Sequence, residues 1–430
     1  MKLDPVKNPN YVATIVRVEE GNLYKVEGLD NLVGYSKFGM QALVSKDTAP
    51  GLYILFSTEV QLSLKFAYEN NLHRDGLLNR EKTSAGYLED NRRVKAIKLR
   101  GNRSDSLLMP ISSLSWAVGK DSAKLKEGDV FDSIDGVEIC RKYVIKESKP
   151  NSGPKAKAAR VRRVLEKHFP EHIDTENYFR NSHKIPGNAF VVVTQKLHGT
   201  SVRYGNVQTL NRLRWWERML RRKAGTAHRF VVGSRHVVKS IDLNDEVGGN
   251  DYFADGDLWS RYASSTRLNE SLPKDILVFG ELVGYTDSGM QIQKHYTYGQ
   301  DGAGDAKLYV YRVATVTTDG RINDLSHGEL EIFCAEHGLT PVPILWEGLH
   351  KDFDAQHWLD RRYYDRWLHL QQEFVQPPIQ LSDPDTVDEG VCIRYDGPFG
   401  VFITKAKSPK FLEHESKLLD AGDVDAESAA

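Results

Sequence analysis

The 430 residues carry 58 Lys and Arg against 59 Asp and Glu; that length suggests two domains, three if one is small, and the net charge of -1 neither demands nor excludes a polyanionic partner. Three scattered cysteines, Cys140, Cys334 and Cys392, stand in no metal-ligand spacing, which excludes a disulfide framework and a zinc site and suits a reducing, cytoplasmic compartment. The start MKLDPVKNPN lacks an apolar signal region and no window approaches the roughly 18 apolar residues of a membrane span, so a soluble protein without a membrane partner is expected.

From Tyr11 to about Lys146 short alternating runs, among them YVATIVRVE, NLYKVEGL and GLYILFSTEVQLSL, are separated by Gly, Asn and Asp. That pattern predicts β-strands, and their number in so little chain favours a small barrel or sandwich over residues 1–146. Residues 147–163, ESKPNSGPKAKAARVRR, shift to Lys, Arg, Pro, Ser and Gly and predict a basic linker. Beyond it, strand-like runs (AFVVVTQK, RFVVGSR, DILVFGELVGY, KLYVYRVATV, EGVCIRYD, GVFITKAK) alternate with helical stretches (NRLRWWERMLRRKA, SHGELEIFCAEHG, FDAQHWLDRRYYDRWLHLQQEF). An α+β domain over 164–418 follows, ahead of a small acidic tail at 419–430 that is expected to be disordered.

The chemistry starts at VTQKLHGTSVRY, residues 193–204, where Lys196 ends an apolar strand and meets a turn of His198, Gly199, Thr200 and Ser201. An ammonium becomes a useful nucleophile only when burial or nearby cations weaken its hold on a proton. FITKAKSPKF places Lys405 and Lys407 two apart on one strand face, where two ammonium groups aimed into one pocket would bind phosphates. Glu281, inside the apolar run VFGELVGY, and Glu389, just before another strand, are isolated acids that need a cation; both suit Mg²⁺ beside a phosphate. As ordinary alternatives, Lys196 would be an edge-strand lysine, the two acids structural ion-pair partners and the late lysines a solvated face.

In chain order Lys-x-His-Gly, Ser234-Arg235, Phe-Gly-Glu, Tyr309-Val310-Tyr311, Glu-Gly-Val and Lys-Ala-Lys form a series. It resembles the nucleotidyl-transfer motifs of ATP-dependent polynucleotide ligases and mRNA-capping enzymes over residues 185–415, and KLHGTS with KAKSPKFLEHES is most similar to the RNA-ligase branch. The resemblance implies an N-terminal OB-like β-barrel followed by a nucleotidyltransferase (adenylation) domain, ATP as cofactor with Mg²⁺ or Mn²⁺, and an RNA partner with 3′-hydroxyl and 5′-phosphate ends, acted on by a monomer. It implies Lys196 as the nucleophile that takes AMP, Gln195 by the adenine edge where relatives commonly carry Glu, and Arg235 on the adenylate or the nucleic-acid end. Glu281 would touch the ribose or a metal-bound water, Tyr311 would stack on adenine, Glu389 would hold the metal, and Lys405 with Lys407 the triphosphate. His198 stands where DNA ligases usually have Asp and with Gly199 belongs to the nucleotide-binding turn; either the metal leans on Glu281 and Glu389, or His198 positions the lysine and later the nucleic-acid end.

GQDGAGDAK at 299–307 mimics a Walker A loop but has Asp305 where that loop needs Lys, and Pro170 interrupts the two histidines of HFPEH, so neither predicts a site. RLRWWERMLRRKAGTAHR sets Arg212, Arg214, Arg218, Arg221, Arg222 and Lys223 beside Trp215 and Trp216, a pattern suited to a nucleic-acid backbone. Lys95, Lys98, Arg100 and Arg103 are candidate RNA contacts in the N-terminal part. The expected activity is RNA ligation in RNA repair; the alternatives are a DNA ligase or capping-type enzyme, and a non-catalytic RNA-binding protein of the same fold. Only 23 residues follow Lys407, too few for the OB module that those two enzyme classes carry there.

Overall fold

The structure, a computed structural model, describes residues 1–144, 163–172, 174–220, 222–243, 245–246 and 256–422. The basic linker up to residue 162, the tail from 423, Arg221 and the side chain of Arg218 lie outside the described residues. No described helix is long and apolar enough to cross a membrane. The chain forms two compact units: one comprises Met1–Ile145, Glu176–Ser182 and Lys407–Asp423, and the other is built on His183–Ala406. The sequence put 164–418 in one domain, whereas two stretches of it, Glu176–Ser182 and Lys407–Asp423, group with the first unit.

In the first unit β1 (Ala13–Val18), β2 (Gly51–Ser57), β3 (Ser106–Pro110) and β4 (Val130–Phe131) form a sheet in the order β4-β1-β2-β3. Because side chains alternate along a strand, Ala13, Ile15, Ile54 and Phe56 bury one face with Phe66, Leu114 and Phe131, while Val16, Val18 and Leu55 bury the other with Tyr35, Met40 and Ala42. That double burial explains why ATIVRV reads almost continuously apolar. A three-stranded sheet of Leu23–Lys25, Leu32–Lys37 and Met40–Ser45 supplies the second face. The described strands make small separate sheets and no closed barrel. Between Leu62 and Ile97, and between Pro110 and Val130, only short helical segments and turns intervene, so no ladder runs on from strand to strand around a ring.

The second unit has two sheets. β5 (Phe190–Lys196) is central to one, with β11 (Ile344–Leu349) on one side and β12 (Gly390–Gly397), then β13 (Gly400–Lys407), on the other. The larger sheet runs through β8 (Val238–Ile241), β7 (Thr226–Ser234), β6 (Thr200–Leu210), β9 (Ile276–Gly284) and β10 (Ala306–Val316). Its residues Val202, Tyr204, Val232 and Val278 pack under α1 (Leu258–Ser265) and α2 (His327–Glu336) with Trp259, Leu330 and Phe333. Its opposite face buries Phe169, Val207, Val231, Leu277 and Phe279. α2 begins where SHGE predicts, with Ser326 and Glu329 forming a reciprocal capping box.

One expected helix is broken. FDAQHWLDRRYYDRWLHLQQEF gives helical turns at Ala355–Trp358 and Gln371–Glu373 around a helix at Tyr363–His369. Asp360 takes a left-handed φ of +58°, and the Arg362 guanidinium donates to the carbonyls of Leu381, Asp383 and Thr386, so tertiary bonds override the helical period.

Candidate active site

Lys196 ends β5, and the register that pairs it with Gly390 sets the preceding acid beside it. Its Nζ donates to Glu389 Oε2 at 2.7 Å, with the lysine side chain 19% and the glutamate 2% exposed. His198 Nδ1 lies 3.7 Å from the same oxygen. The imidazole is held edge-on against Tyr296 with ring centres 4.9 Å apart, its Nε2 is 2.7 Å from the Gln293 amide nitrogen, and the His198 backbone N–H donates to the Tyr298 hydroxyl. Burial pushes the Tyr298 phenol well above its usual range, so it stays a neutral hydroxyl.

The turn after Lys196 is pinned from below by Glu281. Ser201 pairs with Glu281 across β6 and β9; the carboxylate accepts from the Gly199 N–H at 3.0 Å and from the Ser201 hydroxyl at 3.2 Å. A side chain at 199 is impossible without movement, since a Cβ there would sit 2.2 Å from the Leu282 carbonyl oxygen. The Trp259 indole N–H donates to the Ser201 carbonyl, tying α1 to the same turn.

Cys392, on β12, reports which charges gather here. Burial is the main reason its thiol is pushed up to about 11; Lys196 and Lys405 oppose the shift, and Glu389 and Glu281 add to it. One sulfur therefore lies within electrostatic range of two lysines and two glutamates named from the sequence.

Gln195 faces the other way, as neighbours on a strand must. It is 1% exposed; its amide donates to Asp388 Oδ1 at 2.7 Å and to the Ile379 carbonyl, and accepts from the Ile379 N–H. Gln195 thus forms a buried bracket behind β5. Asp388 also accepts from the Tyr363 N–H at 2.8 Å, and burial raises its carboxyl to about 7 against the pull of Tyr363, Gln195 and Arg362.

Tyr311 and Arg235 belong to a second group of side chains in this unit. His172 lies between the rings of Tyr311 (centres 5.6 Å apart) and Phe279, and donates its N–H to the Arg235 carbonyl. The Arg235 guanidinium is paired with Asp174. Arg203, which sequence reasoning missed, is 1% exposed, donates to Ser234 and Pro170 carbonyls and covers the Phe169 ring. Burial lowers it to about 10, with Glu171 and Tyr311 opposing. Register links the two groups: Ser201 faces Glu281, and two residues on Arg203 faces Phe279, on one side of the sheet. Two residues of strand span about 7 Å.

Lys407, two residues beyond Lys405 on the same strand face, lies 3.5 Å from Glu415 and 3.8 Å from Glu59. The N-terminal cations are also engaged: Lys95 with Glu89 and Asp420, Lys98 with Glu413, Arg100 with the Gly28 carbonyl and Arg103 with that of Gly39. On the basic segment only Trp215–Met219 is helical; Trp215 is 74% exposed, Arg222 lies over the Trp216 ring, and Arg212, Arg214 and Lys223 flank it.

The RNA ligase family profile matches residues 189–407, just over half of the chain. Comparison with curated proteins by sequence gives no match. Among solved structures the chain is similar to Naegleria gruberi RNA ligase with PPi, at 15% identity and a TM-score of 0.60, covering 95% of this chain and 99% of that one. Point mutants of the same ligase give 15% identity and 0.57 with ATP and Mn (95% and 99% covered), and 14% and 0.58 with AMP and Mn (94% and 98%). At such identities these structures establish the fold, a mixed α+β one, and the profile establishes the family: the chain belongs to the RNA ligase family.

Proposed function

We propose that this protein is an ATP-dependent RNA ligase that joins a 3′-hydroxyl to a 5′-phosphate through a lysyl-AMP on Lys196, as a cytoplasmic monomer serving RNA repair. The observation that carries the reading is the convergence of Lys196, Lys405, Glu281 and Glu389 around Cys392, with the Lys196 amine 2.7 Å from Glu389. In the first step that amine attacks the α-phosphorus of ATP. An N–P bond forms, the bond to the β-phosphate oxygen breaks, and pyrophosphate leaves with the electron pair; Glu389 is within reach to accept the proton. A 5′-phosphate oxygen of RNA then displaces the lysine, and a 3′-hydroxyl displaces AMP to close the phosphodiester. Such transfers depend on positioning and on neutralising charge at the phosphate oxygens, and Lys405 is the second cation available for that.

The donor set fits Mg²⁺ or Mn²⁺. Glu389 and Glu281 offer hard oxygens, and among the described residues no group of three or more His, Cys, Asp or Glu could hold a metal, so phosphate and water would complete the shell. A bound ion would neutralise phosphate charge. Adenine would lie against Tyr311, two strand residues beyond the rung of Glu281, with Arg235 at its flank and Gln195 supporting from behind β5. The first unit would serve as an OB-like module, as its resemblance to RNA ligases with such a domain ahead of the transferase domain supports. Arg212, Arg214, Arg222 and Lys223, with exposed Trp215, would track the RNA backbone.

Incubation with α-labelled ATP and Mg²⁺ should leave acid-stable label on the protein and none on Lys196→Ala. Label retained on that variant overturns the assignment of the nucleophile.

A further inference from the structure

β6 begins at the turn pinned by Glu281 and ends at Leu210, which pairs with Thr226 of β7. Its 11 residues span about 33 Å at the rise of a strand, so the tip of the β6–β7 hairpin stands about that far from the turn after Lys196. The base of the tip is closed. The Asn211 N–H donates to the Gly225 carbonyl at 2.8 Å, and the Arg229 guanidinium donates to the Thr209 hydroxyl at 2.9 Å and to the Asn211 side chain at 3.0 Å.

Between Asn211 and Gly225 the sequence places six cations and one acid. The acid, Glu217, is engaged by its own segment, where its carboxylate accepts from the Arg214 N–H at 2.7 Å. Arg212, Arg214, Arg222 and Lys223 are exposed, a surface charge that fits a polyanion. The two tryptophans differ. Arg222 lies over the Trp216 ring at 5.4 Å, whereas Trp215 and Met219, neighbours one helical turn apart, are both 74% exposed. An open aromatic face among arginines suits a planar base whose phosphates meet the guanidinium groups. A base paired inside a duplex has no such face to offer, so the matching partner is unpaired RNA.

We propose that the hairpin tip is a second RNA contact, which stacks a base of an unpaired arm on Trp215. A reach of about 33 Å at about 3.4 Å per stacked nucleotide places that base roughly ten nucleotides from the break. The inference rests on the RNA-ligase reading above and adds the class of substrate, an RNA that is single-stranded at that distance from one of the ends to be joined.

The test is sealing of RNA ends by the full chain, with the half-saturating RNA concentration and the maximum rate measured separately. Each arm is lengthened in turn from about four to about fifteen nucleotides, so that only the long arm covers the reach. For wild type, lengthening one of the two arms should lower the half-saturating concentration about tenfold; Trp215→Ala should lose that gain, and Trp215→Phe, which keeps a ring to stack on, should retain it. Annealing a complementary strand to the long arm should also remove the gain. Equal losses in Trp215→Ala on short and long arms, a gain that survives annealing, or a gain untouched by Trp215→Ala overturns the proposal. Wild-type protein that takes no label from α-labelled ATP overturns the ligase reading and this inference together; labelled wild type without the dependence on arm length overturns this inference alone.

Discussion

Gln195→Glu tests the buried bracket behind the nucleophile with almost no change of shape. The amide nitrogen that donates to Asp388 Oδ1 at 2.7 Å becomes an oxygen, and the donation to the Ile379 carbonyl at 3.0 Å is lost as well. Leaving that carbonyl unpaired costs about 1 to 3 kcal/mol, and losing the hydrogen bond to a carboxylate a similar amount. Two buried carboxyls at this distance cannot both ionise, so they must share a proton. Asp388 is already raised to about 7 by burial. A raised carboxyl binds its proton more tightly folded than unfolded. Its contribution to stability is therefore full below the unfolded value near pH 4 and is lost as pH rises through about 7, on the order of 4 kcal/mol in all. In Gln195→Glu the shared proton extends that loss above pH 7. Thermal unfolding of both proteins from pH 5.5 to 9 should show the variant destabilised by roughly 2 to 5 kcal/mol at pH 8.5 and by less at pH 6, where the proton restores a donor. A variant whose melting profile parallels wild type across this range, or whose deficit shrinks as pH rises, would refute the bracket.

Gly199→Ala should destabilise the protein by about 1 to 3 kcal/mol and abolish labelling, because the methyl group would meet the Leu282 carbonyl at 2.2 Å and push the turn away from Lys196; an active, stable variant would show that the turn is not fixed. Replacing Arg214 and Arg222 by Ala should weaken RNA binding and flatten its salt dependence by about 0.7 in the log–log slope per lost contact on single strands, while leaving lysyl-AMP formation intact. An unchanged slope in a salt titration would remove these residues from the RNA surface.

The parts legible in the sequence are those where one local rule decides. Lys196, Glu281 and Glu389 stand out because a lone charge in an apolar strand needs a partner, and the fold supplies partners for all three. Ser408-Pro409 announces α3 (Pro409–Asp420) by its cap and first residue. Alternation alone turns Gln195 away from Lys196, toward its bonds with Asp388 and Ile379. Other features rest on contacts remote in sequence. Gln293, Tyr296 and Tyr298, which seat His198, lie in a loop with no periodicity. The ion pair of Lys407 with Glu59, nearly 350 residues upstream, is encoded by no pattern within KAKSPKF.

The charges around the nucleophile change the account of how it is activated. Sequence alone suggested an amine discharged by two late lysines. Glu389 lies 2.7 Å from the Lys196 amine, so a charged neighbour of the nucleophile is an acid, and an ion pair at this distance favours the charged form of both partners. Two lysines and two glutamates act on Cys392, so acids as well as cations stand where a polyanionic nucleotide would enter. On the proposed reading Glu389 would help to hold the cation that accompanies the nucleotide, and in its absence the bond to Glu389 keeps the Lys196 ammonium paired. Lys405 could not take the place of Glu389, because it brings a second positive charge and no oxygen to accept a proton.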